Sequence, residues 1–199
     1  MSHKNLWILD AGHGGICPLT GDYMTKGKRS PIWKDKTVYY EGLGNRQIVA
    51  GIARQLEELE IPYYVLVPEY KDVPLWERVQ RIKKLNTKLN KIVVSVHSNG
   101  FSKESANGWE VFTSHGNTES DRVADVFLMH AKEQLGDRFR MRGAKEANFY
   151  MLQKHPFTAI LTENLFHTNE RECRFLMSKD GQKEIIDLHV NAIKSYEGL

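Results

Sequence analysis

The chain has 199 residues, of which 27% are charged and 41% hydrophobic, and its formal net charge is +3. This composition excludes a disordered chain, and the length suits a single domain, residues 1–199, and is enough to bury a continuous core. Because the basic residues are scattered, nucleic-acid binding is disfavoured, and no apolar run approaches the length of a membrane span.

Taken in chain order, the apolar periodicity predicts an α/β domain of three layers with a largely parallel sheet. The predicted elements are a strand at 6–10, a helix at 43–60, a strand at 63–67, a helix at 73–89, strands at 91–97 and 109–113, a helix at 120–135, strands at 149–152 and 158–163, and a helix at 181–196. Residues 16–40 form a loop without a sustained period, and loops of this length tend to be functional.

The two cysteines, Cys17 and Cys173, are far apart and form no Cys-x-x-Cys pair. We therefore expect two free thiols in a reducing compartment rather than a disulfide framework or a cysteine zinc cluster. Residues 1–5 lead directly into the first strand, without the apolar segment of a signal peptide. This pattern predicts a protein made in the cytoplasm and released by another route, or a mature fragment of an exported protein.

Ionisable side chains of the metal-ligand type stand where predicted strands end. His13 follows the first strand, His97 ends the 91–97 strand and Glu163 ends the 158–163 strand. Ligands of open α/β sheets bind beyond the carboxyl ends of the strands, so these three residues are expected to meet. Two histidines and a carboxylate suit zinc, and Glu41 is a fourth candidate, which leaves two glutamates for the roles of ligand and general base.

Two simpler interpretations compete with a metal site at this stage. A histidine at a strand end is more often a hydrogen-bonded structural residue than a ligand. The glycine-rich turn at 12–15 could also cradle a phosphate, but no helix is predicted after it and neither standard phosphate-loop pattern is present. Spacing alone therefore leaves the zinc hypothesis and its alternatives open.

Four motifs, taken together, carry a resemblance to a known family. In chain order they are residues 8–15 (ILDAGHGG), Glu41 with Asn45, residues 95–99 (SVHSN), and Glu163 with Phe166 and Asn169. Their order and their span over most of the chain resemble the N-acetylmuramoyl-L-alanine amidases of the Amidase_3 family. The resemblance implies an α/β fold of the zinc carboxypeptidase type, with a mixed sheet of about six strands between helices.

The same resemblance implies roles for individual residues. It implies that His13, Glu41 and His97 are zinc ligands and that Glu163 is the catalytic carboxylate. Arg78 matches an arginine usual in the family, which we interpret as structural or as a support for the ligands. From their places beside the ligands, Asp10 and Asn99 are candidates for orienting them, although ordinary loop hydrogen bonding would explain them equally well.

The implied activity is zinc-dependent hydrolysis of the amide bond between N-acetylmuramic acid and L-alanine in peptidoglycan. Peptidoglycan is then the expected partner, with no nucleic acid and no membrane insertion. The alternatives are a zinc peptidase or deacylase that acts on another amide, and a non-catalytic wall-binding module. Regulated members of the family carry a helical insertion that plugs the site, and we expect none between 108 and 142. Together with the missing leader, this suits a phage or prophage lysin that needs no activator.

Overall fold

The computed structural model describes residues 3–199, in which six strands form one sheet with helices on both faces. In chain order the elements are β1 (Asn5–Ala11), α1 (Glu41–Glu58), β2 (Tyr63–Val65), α2 (Leu75–Lys84), β3 (Asn90–Asn99), β4 (Trp109–Thr113), α3 (Glu119–Leu135), β5 (Met141–Glu146), α4 (Tyr150–Gln153), β6 (Thr158–Phe166), α5 (Glu170–Met177) and α6 (Lys179–Glu197). The expected three-layer α/β architecture with about six strands is confirmed.

The strand order is β2-β1-β3-β6-β4-β5. Strands β2, β1, β3 and β6 run parallel to one another, whereas β4 is antiparallel to β6 and β5 is parallel to β4. The sheet is therefore mixed, and the carboxyl ends of the three central parallel strands, β1, β3 and β6, meet at one edge.

Apolar side chains alternate between the two faces of the sheet and form two cores. Trp7, Leu9 and Val94 belong to the larger core, which also contains the inward sides of α1, α3 and α6. Ile8 and Val93 belong to the smaller core, which α2 and α4 cover. Burial of both faces explains why the central strands are apolar almost throughout.

Four predicted features differ from the structure. The helix predicted at 73–89 ends at Lys84, because Leu85 is extended and Thr87 accepts a hydrogen bond from the Leu89 amide in a turn. The strand predicted at 149–152 is wrong, since these residues begin the short helix α4. Strand β5 and helix α5 were not predicted at all.

The segment 16–40 contains no helix or strand and is tied to the rest of the fold at a few points, among them two isolated bridges, Ile16 with Tyr23 and Arg29 with Tyr40. The Tyr23 hydroxyl donates to the Lys28 carbonyl and accepts from the Gly42 amide, which links this loop to the start of α1. Both cysteines are free and buried. Among residues 3–199, no helix is long and apolar enough to cross a membrane.

Candidate metal centre

His13 lies in the turn that follows β1, in a backbone conformation unusual for a side-chain-bearing residue. Its φ is +65°, in the left-handed region, which costs on the order of 1–3 kcal/mol unless the surroundings impose it. The surroundings do so here, because its carbonyl accepts hydrogen bonds from Arg46 (2.7 Å) and Arg78 (3.3 Å). Strain of this kind is concentrated at functional sites.

Glu41 is the first residue of α1 and is only 2% exposed. The glycine that follows it permits this position, because a Cβ atom on Gly42 would lie 1.9 Å from the Gly14 carbonyl oxygen. The close approach of α1 to the turn after β1 therefore brings Glu41 beside His13.

His97 lies near the end of β3, and its ring packs directly on the backbone of Gly12. With His13 and Glu41 it forms a compact cluster, in which one ligand atom from each residue lies within 4.8 Å of the others. The His13 Nε2 to Glu41 Oε2 distance is 3.3 Å, and the His97 Nδ1 to Glu41 Oε1 distance is 3.1 Å. The two imidazoles are perpendicular, with centroids 5.0 Å apart.

The electrostatics of the cluster follow from the burial of Glu41 between two imidazoles. Burial by itself would raise the pKa of Glu41, but hydrogen bonds from His13 and His97 hold that pKa below its usual range. Burial opposes protonation of His97, yet the neighbouring Glu41 carboxylate raises its pKa above the ordinary value. A carboxylate kept ionised beside two imidazoles is a donor set that fits zinc, which accepts three such ligands in catalytic sites.

Glu163 lies on β6 directly opposite His97 in the parallel register. Its Oε2 atom is shielded from solvent and has no hydrogen-bond partner among the described residues. Burial raises the pKa of Glu163, and the carboxylates of Glu41 and Glu110 add to this effect while His97 opposes it. The arrangement leaves an unpartnered carboxyl oxygen beside the cluster.

The structure places Asp10 and Arg78 beneath the turn that carries His13. Both are buried, and Arg78 Nη1 donates to Asp10 Oδ1 (2.7 Å) and to the Ala11 carbonyl (2.8 Å). The other Asp10 oxygen accepts from the Ser95 hydroxyl at 2.6 Å. Asp10 therefore acts on the turn through Arg78, and it is Arg78 that reaches the His13 carbonyl.

Asn99 has a different neighbour, one that the sequence did not single out. Its Nδ2 donates to Glu110 Oε1 at 2.5 Å. Glu110 is 3% exposed and stands opposite Glu163 in the antiparallel register, and Arg142 and Lys145 pair with its other oxygen. No sequence signal marks Glu110, because its position opposite Glu163 depends on the antiparallel pairing of β4 with β6.

A buried polar network that begins at Asn164 is hydrogen-bonded to the backbone of His97. Asn164 Nδ2 donates to the His97 carbonyl (3.0 Å) and to the Thr162 hydroxyl (3.1 Å), and its oxygen accepts from the Trp109 indole. The Thr162 hydroxyl in turn lies 3.0 Å from Nε2 of His189, whose Nδ1 donates to a backbone carbonyl of α6. His189 is fully buried in this network.

The cluster opens into a cavity of about 350 Å³. Its walls contain His13, Glu41, His97, Glu163, residues 27–29 of the long loop, residues 98–102, His167 and Thr168. His167, the remaining histidine closest to Glu163 in sequence, lies against this wall with its Nδ1 3.0 Å from the Ser98 carbonyl. All four residues predicted for the metal and the catalytic carboxylate thus line one cavity.

The comparisons with known proteins identify the family. The family model described as N-acetylmuramoyl-L-alanine amidase matches residues 8–195. The chain belongs to the Amidase_3 family. The family inferred from the motifs is therefore confirmed. Within residues 3–199, His13, Glu41 and His97 form a cluster that could hold a metal ion.

Individual relatives of this Amidase_3 chain are distant in sequence. An endolysin of Bacillus phage SPP1 is 26% identical over 96% of the chain, and the chain spans 65% of that protein's length. The uncharacterized protein YqiI of Bacillus subtilis (strain 168) is 29% identical over 94% of the chain and 82% of its own length.

Solved structures share the fold. The N-acetylmuramoyl-L-alanine amidase AmiC2 of Nostoc punctiforme superposes with a TM-score of 0.80 at 23% identity, with all of both chains covered. The catalytic domain of CwlV, from Bacillus (Paenibacillus) polymyxa, gives a TM-score of 0.79 at 21% identity and covers 96% of this chain and 97% of that one.

Proposed function

We propose that this chain is a zinc-dependent N-acetylmuramoyl-L-alanine amidase, which hydrolyses the amide bond between N-acetylmuramic acid and L-alanine in peptidoglycan. The observation that carries the proposal is the meeting of His13, Glu41 and His97 within 4.8 Å, in a cavity whose wall contains Glu163. Membership of the Amidase_3 family over residues 8–195 supports the choice of substrate. Residues 1–199 are proposed to act as one catalytic domain.

In this proposal His13, Glu41 and His97 hold the zinc ion. A zinc ion at such ligands supplies a Lewis acid for the amide carbonyl and lowers the pKa of water toward about 7. Glu41 contributes the negative charge of the ligand set. The turn that contains His13 is held by hydrogen bonds to the His13 carbonyl, and this keeps the imidazole in place. Arg78 and Asp10 serve as positioning residues, because they contact the turn and not the cavity.

Glu163 has the position of a general base. Its unpartnered Oε2 takes the proton of the attacking water, and the same oxygen then passes the proton to the nitrogen of the leaving alanine. Proton transfer of this kind contributes typically about 10²–10⁴-fold to the rate. Burial raises the pKa of Glu163, and a higher pKa makes its ionised form a stronger acceptor for the proton of the water.

The experiment that tests the proposal is a digestion of purified peptidoglycan sacculi followed by mass spectrometry of the products. We expect free stem peptides with an N-terminal alanine and glycan strands of unchanged length. A chelator should abolish their release, and added zinc should restore it. Cuts within the stem peptide would instead indicate a zinc peptidase, and release that is insensitive to a chelator would contradict the role of the metal.

A non-catalytic wall-binding module would give a third result. Such a module would sediment with sacculi and release no peptide at any zinc concentration. The Glu163→Gln variant is the matched reference, because it is expected to sediment with sacculi in the same way while releasing no peptide. A wild-type protein that behaves like this variant would overturn the proposed activity.

A further inference from the structure

A second cavity of about 340 Å³ adjoins the one at the metal cluster. Asn99, Phe101 and Glu163 line both cavities, so the side chain of the proposed base stands at their junction. A substrate whose scissile bond lies beside Glu163 can therefore extend one of its two arms into this second cavity. We call it the phenylalanine pocket, after its lining residues Phe101, Phe112, Phe149 and Phe166.

The phenylalanine pocket combines apolar walls with one fixed cation. Arg142 lies over the Phe166 ring, with its guanidinium carbon 5.1 Å from the ring centroid. Its Nε donates to Glu110 Oε2 at 2.7 Å, and its Nη1 donates to the Asn107 carbonyl at 3.3 Å. The guanidinium is thus held in one plane at the pocket wall, and its side chain keeps 26% exposure.

The cluster of Glu110, Arg142 and Lys145 at this wall carries one more cation than carboxylates, and Glu163 is the other carboxylate that lines the pocket. Glu110 is paired with two cations, Arg142 and Lys145, so one positive charge is not balanced within the cluster. Glu110 itself is buried and both of its oxygens are occupied, one by Asn99 and the other by the cations. An anionic group that enters the pocket consequently meets a positioned guanidinium, whose planar donors match a carboxylate.

The two arms of the substrate differ in charge, and this difference decides which arm fits. On the glycan side, the lactyl carboxyl group is consumed in the amide bond, and the amino sugars are neutral. On the peptide side, a small alanine is followed by residues with free carboxylates. We propose, as an extension of the amidase function, that the phenylalanine pocket is the stem-peptide subsite and that Arg142 determines specificity by binding a peptide carboxylate.

The glycan arm then lies in the opposite direction, along the wall formed by residues 27–29 of the long loop. This orientation places the leaving nitrogen on the pocket side of Glu163, where the proton has to be delivered. Phe101, which is 56% exposed, stands between the two cavities and can contact both arms.

The test compares two ligands that differ only in charge: the dipeptide L-alanyl-D-glutamate and its diamide, in which both glutamate carboxyl groups are carboxamides. We expect the wild-type protein to bind the dicarboxylate about 10-fold or more tightly than the diamide in calorimetric titrations, as for a hydrogen bond between charged groups. The Arg142→Gln variant should bind the two with nearly equal affinity. Arg140→Gln, an exposed arginine at the start of the same segment, is the matched control and should keep the wild-type preference.

Because Arg142 partners a buried carboxylate, Arg142→Lys is included as a variant that retains a cation beside Glu110. It should keep only part of the preference, since a lysine cannot present two parallel donors. Equal wild-type affinity for the two dipeptides, or no measurable affinity for either, would overturn the subsite.

Cleavage of the corresponding muramoyl dipeptides is a separate readout of the amidase function. Turnover without a charge preference in binding would contradict the subsite alone. A charge preference without turnover would contradict the amidase function alone.

Discussion

Gly12 lies directly against the ring of His97: a Cβ atom on Gly12 would be 2.2 Å from the imidazole Cε1 and 2.5 Å from Nδ1 and Nε2. Contacts this short do not occur between real atoms, so any side chain at position 12 must displace the imidazole. The absence of a side chain at Gly12 is therefore a condition for the position of His97 beside Glu41.

The Gly12→Ala variant should lose metal binding while it keeps its fold. A displaced His97 leaves two ligands, and we expect the zinc content after dialysis, measured by elemental analysis, to fall to a small fraction of the wild-type value. Gly27→Ala is the control, because a Cβ at Gly27 meets open space, and it should keep the full metal content. A full complement of zinc in Gly12→Ala would show that His97 is not a ligand.

The Glu163→Gln variant should retain zinc and fold but lose about 10²–10⁴-fold in peptide release from sacculi. The amide of glutamine keeps the shape of the side chain and removes its ability to accept a proton. Glu104→Gln, an exposed glutamate of the loop after β3, serves as the control and should digest sacculi normally. Wild-type turnover by Glu163→Gln would refute the role of Glu163 as base.

The Arg78→Met variant should lower the free energy of unfolding by about 3–5 kcal/mol, because it leaves the buried Asp10 carboxylate without its cation. Arg81→Met, on the same helix, removes only partly exposed ion pairs with Glu69 and Glu77 and should cost about 1 kcal/mol or less. Urea denaturation of both variants measures the difference. Equal losses would mean that the Arg78–Asp10 pair does not stabilise the turn.

Acid should destabilise the fold through His189. Burial lowers the pKa of His189 to about 4 from an ordinary value of 6.5, so the unfolded chain binds a proton between these pH values that the folded chain excludes. The contribution of His189 to stability is complete above pH 6.5 and is lost as the pH falls toward about 4, by up to about 3 kcal/mol. His189→Gln should flatten the pH dependence of unfolding over this window, and an unchanged slope would contradict the assignment.

The residue types available for chemistry, and their places along the chain, can be read directly from the amino-acid sequence. The strand ends marked His13, His97 and Glu163 as candidates because parallel strands present their carboxyl ends at one edge, whereas the roles of Glu41 and Glu163 came from the family resemblance. The long helices and apolar strands followed from their periodicity. Helix α5 could also have been predicted from the sequence, because an Asn followed three residues later by Glu is a helix-start signal. In the structure Asn169 caps this helix by accepting a hydrogen bond from the Glu172 amide.

The tertiary structure alone decided the rest, because those features depend on neighbours far away in the sequence. Strand β5 is a polar edge strand interrupted by Gly143 with a φ of +86°, so no alternating pattern marks it. Glu110 and Arg142 became part of the site only when β4 was laid antiparallel to β6 and β5 was added outside it. The long-range pairing of strands thus fixed the phenylalanine pocket, whereas the strand-end residues together with the family motifs already indicated the metal centre.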